Sequence, residues 1–208
     1  MDPRDDYAGD AIEVLVLGIG NLLWADEGFG VRCAEELTQA YELPATVRVM
    51  DGGTQGLYLL PYVQQAKRLI VFDAVDYGLE PGTVKLVEDG EVPRFMGAKK
   101  MSLHQTGFQE VIAAAVLTGQ CPGRMLLIGV QPEELDDYGG SLRDVVKARV
   151  PECVDAAVKR LADWGHAATR RVATADFSND ALAMDAYEAG RPSHESACRM
   201  GDDRFLTA

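Results

Sequence analysis

Three residues of metal-binding type stand where a parallel sheet would present them. Glu27 lies in the loop Gly18-Ile19-Gly20-Asn21-Leu22-Leu23-Trp24-Ala25-Asp26-Glu27-Gly28-Phe29-Gly30, which follows an apolar run. Asp73 ends the apolar run Arg68 to Phe72, and His104 stands in Ser102-Leu103-His104-Gln105. In open parallel sheets the ligand crevice lies beyond the carboxyl ends of the strands. A glycine-rich turn that feeds a helix N-terminus attracts anions through its N–H groups. A carboxylate planted in such a turn repels phosphate and can hold a cation. Two carboxylates and one imidazole form an oxygen/nitrogen donor set that suits Ni, Zn, Fe or Mn, and three protein ligands leave coordination positions open.

Each of the three also has a plainer role. Glu27 can serve as a charge at a helix N-terminus, Asp73 as a turn former beside Asp76, and His104 as a first-turn residue bonded to water. The run Ser102 to Gln105 reads as a capping box, with Ser102 as N-cap and Gln105 three residues on. Such a cap contributes about 1 kcal/mol and sets His104 in the first turn of its helix. Leu22, Leu23 and Trp24 are either core or an apolar patch that greets a partner. Cys33, with apolar neighbours in a helix, reads as a buried thiol rather than a nucleophile. His166 and His194 carry no assigned role.

A dinucleotide-binding module is the first competitor. It would use Gly18-x-Gly20 after a strand and Asp51, after the second strand, as its ribose acid. Leu23 occupies the third glycine position, and Glu27 would confront the pyrophosphate. The loop therefore favours metal over dinucleotide chemistry.

The elements that must position these residues alternate short apolar runs with amphipathic segments, the pattern of an α/β fold. The expected fold is three-layered, a mostly parallel twisted sheet of about five strands flanked by helices. Ile12 to Leu17 is the first strand, apolar enough to be buried on both faces. Gly30 to Tyr41 is the first helix, with Val31, Ala34, Leu37 and Ala40 on one side. Val47 to Met50 is a second strand, leaving through the turn Asp51-Gly52-Gly53-Thr54. A short helix spans Leu57 to Val63 despite Pro61, and Arg68 to Phe72 is the third strand. Thr83 to Val87 reads as an edge strand or hairpin arm, Ser102 to Leu117 as a helix and Met125 to Val130 as a buried strand. Ser141 to Trp164 reads as one long helix bent at Pro151. Residues 1–11 are expected to be a flexible arm, residues 12–165 the domain. Residues 166–208, poor in aliphatic side chains, are expected to be a flexible tail.

At 208 residues, with a formal net charge of −13 and a pI near 4.6, the chain suits one well-buried domain with an acidic surface. Nucleic acid is excluded as a partner, because its backbone needs a basic face, and an anionic membrane surface is disfavoured. No apolar stretch is long enough to span a bilayer, and the N-terminal residues lack the basic and apolar regions of a signal peptide. Cys33, Cys121, Cys153 and Cys198 form no C-x-x-C pair, which points to reduced thiols in a cytoplasmic protein.

The loop Gly18 to Gly30, together with Asp51-Gly52-Gly53-Thr54, Asp73-Ala74 and Ser102-Leu103-His104-Gln105, resembles the [NiFe]-hydrogenase maturation proteases. The resemblance covers about residues 12 to 165. It implies an endopeptidase that removes the C-terminal extension of a [NiFe]-hydrogenase large-subunit precursor once nickel has been inserted. By that resemblance Glu27, Asp73 and His104 bind nickel supplied by the substrate's cysteines, and Glu27 and Asp73 are the catalytic carboxylates. The metal either polarises the scissile carbonyl while a carboxylate activates water, or the two carboxylates share a proton in an aspartic mechanism. The alternative function is a non-catalytic, nickel-checking chaperone of the same precursor. A cytoplasmic monomer without membrane insertion is expected. The tail beyond residue 166 is longer than most members carry.

Overall fold

The computed structural model describes residues 12–93 and 103–172, with Met184 and Tyr187. Its first strand, β1 (Val14–Ile19), is buried along its whole length, as a strand covered on both faces must be. The chain then turns through a 3-10 segment, Ala25–Gly28, into α1 (Phe29–Ala40). It continues through a two-residue strand β2 (Tyr41–Glu42) to β3 (Val47–Gly53). A second 3-10 segment, Gly56–Leu59, leads into α2 (Leu60–Gln65), where Pro61 sits in the first turn and displaces no helical hydrogen bond. Next come β4 (Arg68–Ala74), β5 (Val84–Glu88), α3 (Leu103–Leu117) and β6 (Arg124–Val130). The short α4 (Asp144–Lys147), α5 (Val150–Asp163) and β7 (Thr169–Arg170) complete the order.

Five strands form one sheet in the order β3-β1-β4-β6-β5. β3, β1, β4 and β6 run parallel, and β5 pairs antiparallel with β6 as the edge. The alternation along each strand divides its residues between two cores. Val14, Val16, Ile70, Phe72, Leu126 and Ile128 meet α1 and α5 on one face. Leu15, Leu17, Leu69, Val71 and Leu127 meet Leu59, Val63, Phe108 and Ile112 from α2, α3 and the turn between β3 and α2 on the other. The expected three-layer α/β architecture is the one found.

Two expectations change. The helix expected over Ser141 to Trp164 is two helices, broken at Ala148 and Arg149. Pro151 lies in the first turn of α5, where its missing N–H is no loss, so it starts a helix rather than bending one. The packed domain also runs past residue 165. Arg68 Nη1 donates to His166 Nε2 (3.1 Å), which leaves Nδ1 to donate to Thr46 Oγ1 (2.9 Å). β7 pairs antiparallel with β2, and Arg171 donates its backbone N–H to the Ala40 carbonyl (2.8 Å). Met184 packs against the α1/α5 core, and the Arg32 guanidinium lies 5.9 Å from the centre of the Tyr187 ring. The expected N-terminal arm 1–11 and the rest of the expected tail lie outside the described residues.

Candidate active site at the carboxyl end of the sheet

From β1 the chain crosses to β3 on one side, then to β4 on the other. The crossovers part at the carboxyl ends of β1 and β4, the kind of switch point at which open α/β sheets bind ligands. Glu27 follows β1 and Asp73 is the penultimate residue of β4. Both expected carboxylates therefore flank the same notch.

Local packing draws them together. The loop after β1 folds back on itself through the Asn21 N–H to the Glu27 carbonyl (3.2 Å) and the Glu27 N–H to the Trp24 carbonyl (2.8 Å). Gly30, in the first turn of α1, lies so close to the carbonyls of Ile19 and Phe72 that a Cβ would overlap both. That approach seats the Ala25–Gly28 turn against the end of β4, one residue from Asp73. Glu27 is half-buried there, and Asp73 is fully buried. A fully buried carboxylate at the carboxyl end of a central strand is a candidate for function.

His104 falls in the first turn of α3; its side chain, like the Ser102 cap, lies outside what the structure describes. The backbone nevertheless places it. Gly107, one turn on, abuts Gly56 in the turn that leaves the carboxyl end of β3. The start of α3 therefore stands at the same edge as Glu27 and Asp73. Among the described side chains no group of three His, Cys, Asp or Glu could hold a metal ion. Glu27 and Asp73 lie at the carboxyl ends of β1 and β4, and the backbone of the first turn of α3, which holds His104, lies at the same edge.

Asp51 ends the other side of the notch, level with Gly18 in the β1–β3 register. It keeps solvent access, yet partial desolvation raises its carboxyl above the ordinary range by more than the Gly53 N–H and the Arg32 charge lower it. Leu23 is exposed, and Leu22 and Trp24 are half-buried, so the apolar part of the loop forms a rim rather than core. Trp24 meets Tyr138 edge to face at 5.3 Å, and Leu57 and Tyr58 are exposed in the turn after β3. Cys33 is buried, as expected, and burial holds its thiol far above the ordinary range.

Sequence reasoning passed over Asp26. It is fully buried, and its carboxylate accepts three backbone N–H bonds, from Glu133 (2.8 Å), Glu134 (2.9 Å) and Arg143 (2.7 Å). Those bonds tie the glycine loop to the segment after β6, which is further joined by the Gly139 N–H to the Leu23 carbonyl (2.7 Å). Asp26 is a structural carboxylate beside a candidate functional one. The sequence held no signal for this, since its partners are main-chain donors.

Comparison with known proteins identifies the family of this chain. The family model described as hydrogenase maturation protease matches residues 31–160. The chain is 60% identical over 194 residues to the hydrogenase expression/formation protein HupD of Rhodobacter capsulatus, covering 93% of this chain and 92% of that one. That span extends beyond residue 172, so this relative shares part of the C-terminal extension. The hydrogenase 2 maturation protease of Escherichia coli K12 is 39% identical over 166 residues, 79% of this chain and all (100%) of its own. Among solved structures, the hydrogenase maturating endopeptidase HybD of E. coli superposes with a TM-score of 0.72 at 38% identity, covering 76% of this chain and 98% of its own. With two carboxylates flanking the switch point and these matches over most of its length, the chain belongs to the hydrogenase maturation protease family.

Proposed function

We propose that the protein is the endopeptidase that removes the C-terminal extension of a [NiFe]-hydrogenase large-subunit precursor after nickel insertion, reading the nickel that the precursor already holds. The observation that supports this reading is that Glu27 and Asp73 stand beyond the carboxyl end of β1 and at that of β4, on elements that approach closely at Gly30. A donor set of two carboxylates with His104 suits a divalent cation, and a three-ligand set leaves room for groups brought by the substrate.

In this mechanism Glu27, Asp73 and His104 complete the coordination of the precursor's nickel and so hold the scissile bond at the notch. One carboxylate takes a proton from water, which adds to the scissile carbonyl. The same proton passes to the leaving amine as the C–N bond breaks. The protein would act as a cytoplasmic monomer on a folded protein partner. Among the described residues no helix is long and apolar enough to cross a membrane, and the net charge of −13 argues against nucleic acid.

The test is cleavage of a large-subunit precursor prepared with and without nickel, with the C-terminal fragment read by mass. Cutting of the nickel-loaded form alone is expected. Cutting of both forms would keep the peptidase and discard nickel as the signal. Cutting of neither would leave a precursor-binding chaperone.

A further inference from the structure

The turn that carries Glu27 holds its backbone in a conformation that its first residue disfavours. Among the described residues, Ala25 (φ 36°) and Asp89 (φ 46°) are the non-glycine residues with positive φ. An aspartate enters that region readily because its short polar side chain bonds locally, and an alanine has no such bond to offset the crowding of its Cβ. Ala25 is buried, at the start of the Ala25–Gly28 turn and two residues before Glu27. A residue in such a conformation stays there only where its surroundings over-determine it.

Asp26 supplies that constraint. Its Oδ2 accepts the N–H groups of Glu133 and Glu134, its Oδ1 accepts that of Arg143, and its own N–H donates to the Glu134 carbonyl (3.1 Å). On the other flank of Ala25, the Trp24 backbone bridges to Tyr138, and the Leu23 carbonyl accepts the Gly139 N–H. One segment, 133–143, thus pins the chain on both sides of Ala25. The segment is braced in itself: Arg143 Nη2 donates to the buried Asp137 carboxylate (2.8 Å), and the Gly140 N–H donates to the Asp137 carbonyl (3.0 Å). The Glu27 N–H closes the turn on the Trp24 carbonyl, so the direction in which Glu27 leaves it follows from φ at Ala25. We infer that Asp26 is a positioning residue for Glu27: by clamping the strained turn to the segment after β6, it sets where the Glu27 carboxylate stands at the notch. Without the clamp the backbone at Ala25 relaxes to negative φ and carries Glu27 with it. A shift of about 1 Å in a reacting group is enough to cost about 100-fold in rate.

The catalytic part of this inference rests on the proposed function, so the test has an arm that needs no activity. In the full chain labelled with nitrogen-15, amide exchange in D2O is compared at two pairs of sites. Asn21 and Glu27 bond within the loop, and Val71 and Leu127 pair in the sheet. Asp26→Asn keeps the shape, but its amide must aim an N–H at one or more of the three main-chain donors. It is expected to speed exchange at Asn21 and Glu27 at least about tenfold more than at Val71 and Leu127. Equal factors at all four would mean that Asp26 supports the fold as a whole, and would overturn the inference. Should that variant fail to fold, Arg143 gives the same test from the other side. Its φ of −66° is one that proline adopts, so Arg143→Pro deletes that single N–H. Arg143→Ala, which loses the same side chain and keeps the N–H, is its control. Faster exchange at Asn21 and Glu27 in Arg143→Pro than in Arg143→Ala is expected, and equal rates would overturn the clamp.

The second arm is processing of the nickel-loaded precursor, at a temperature at which circular dichroism shows each variant fully folded. Asp26→Asn is expected to lower kcat at least about tenfold. A residue that only stabilised the fold would leave kcat of the folded protein unchanged. Glycine adopts positive φ without strain, so adding Ala25→Gly to Asp26→Asn is expected to raise kcat again by about threefold or more. Wild-type kcat in Asp26→Asn, or no gain from the added glycine, would overturn the positioning role. Should the wild type itself cut no precursor, the proposed function falls, while amide exchange still decides whether Asp26 sets the turn that carries Glu27.

Discussion

Glu27 and its neighbour Asp26 are adjacent acids in different surroundings. Asp26 is fully buried and receives three main-chain N–H bonds, whereas Glu27 is half-buried at the notch. Replacing each in turn separates the duties. Asp26→Ala leaves three N–H groups facing an apolar methyl and unties the glycine loop, a loss of about 3 kcal/mol or more in denaturant unfolding. Glu27→Gln keeps size and removes charge. It is expected to leave the unfolding midpoint unchanged and to cut processing by about 100-fold or more, read as release of the C-terminal fragment. Normal processing by Glu27→Gln would show that no carboxylate is required at that position. The position of Glu27 and Asp73 at strand ends was legible from the apolar runs, but among 33 acids it took the motif resemblance to single them out. Asp26 was not legible, because its donors lie 107 to 117 residues away and main-chain N–H groups carry no residue signature.

At the scale of elements, the long apolar strands and the helices Phe29–Ala40 and Leu103–Leu117 were legible to within a few residues, since their hydrophobic period persists over several turns or pleats. Shorter pieces were not. A two-residue strand such as β2 or β7 has no period, and the break between α4 and α5 leaves the apolar spacing nearly intact. The contact that matters most for the site is the approach of α1 to the ends of β1 and β4 at Gly30. A methyl there must collide with two carbonyl oxygens that belong to strands and cannot turn aside. Gly30→Ala is expected to cost about 3 kcal/mol, at the upper end for overpacking. It should also lower processing by pushing the Glu27 turn away from Asp73. Circular dichroism melts and the processing rate check the two effects separately. A variant that melts as wild type does and cuts at the wild-type rate would show that α1 has room to move at this point.

For the molecule as a whole, hydrogen-bonded structure continues past residue 165, where the sequence placed the end of the domain. His166 and the strand β7 hold by hydrogen bonds rather than by apolar burial, and composition is blind to that. The same whole-molecule view yields a pH prediction. Cys33 and Cys153 are both buried in the core between α1 and α5. Burial raises the Cys33 thiol far above its ordinary range and raises Cys153 from 9.0 to about 12. Below pH 9 both thiols are protonated whether the chain is folded or not, so their contribution is fully present. Between about pH 9 and about pH 12 the unfolded chain ionises Cys153 while the folded one does not, so unfolding releases a proton and stability falls as pH rises. The slope for one such group is about 1.4 kcal/mol per pH unit. Guanidinium unfolding at pH 8 and pH 10 should therefore show a steeper alkaline loss for the wild type than for Cys153→Ala. The variant starts from a lower stability at pH 8 because of the cavity it leaves. Its other ionisations, the tyrosines included, are common to both proteins and cancel in the difference. Equal slopes would mean that Cys153 ionises in the folded protein as readily as in the unfolded chain, and that the core between α1 and α5 admits water.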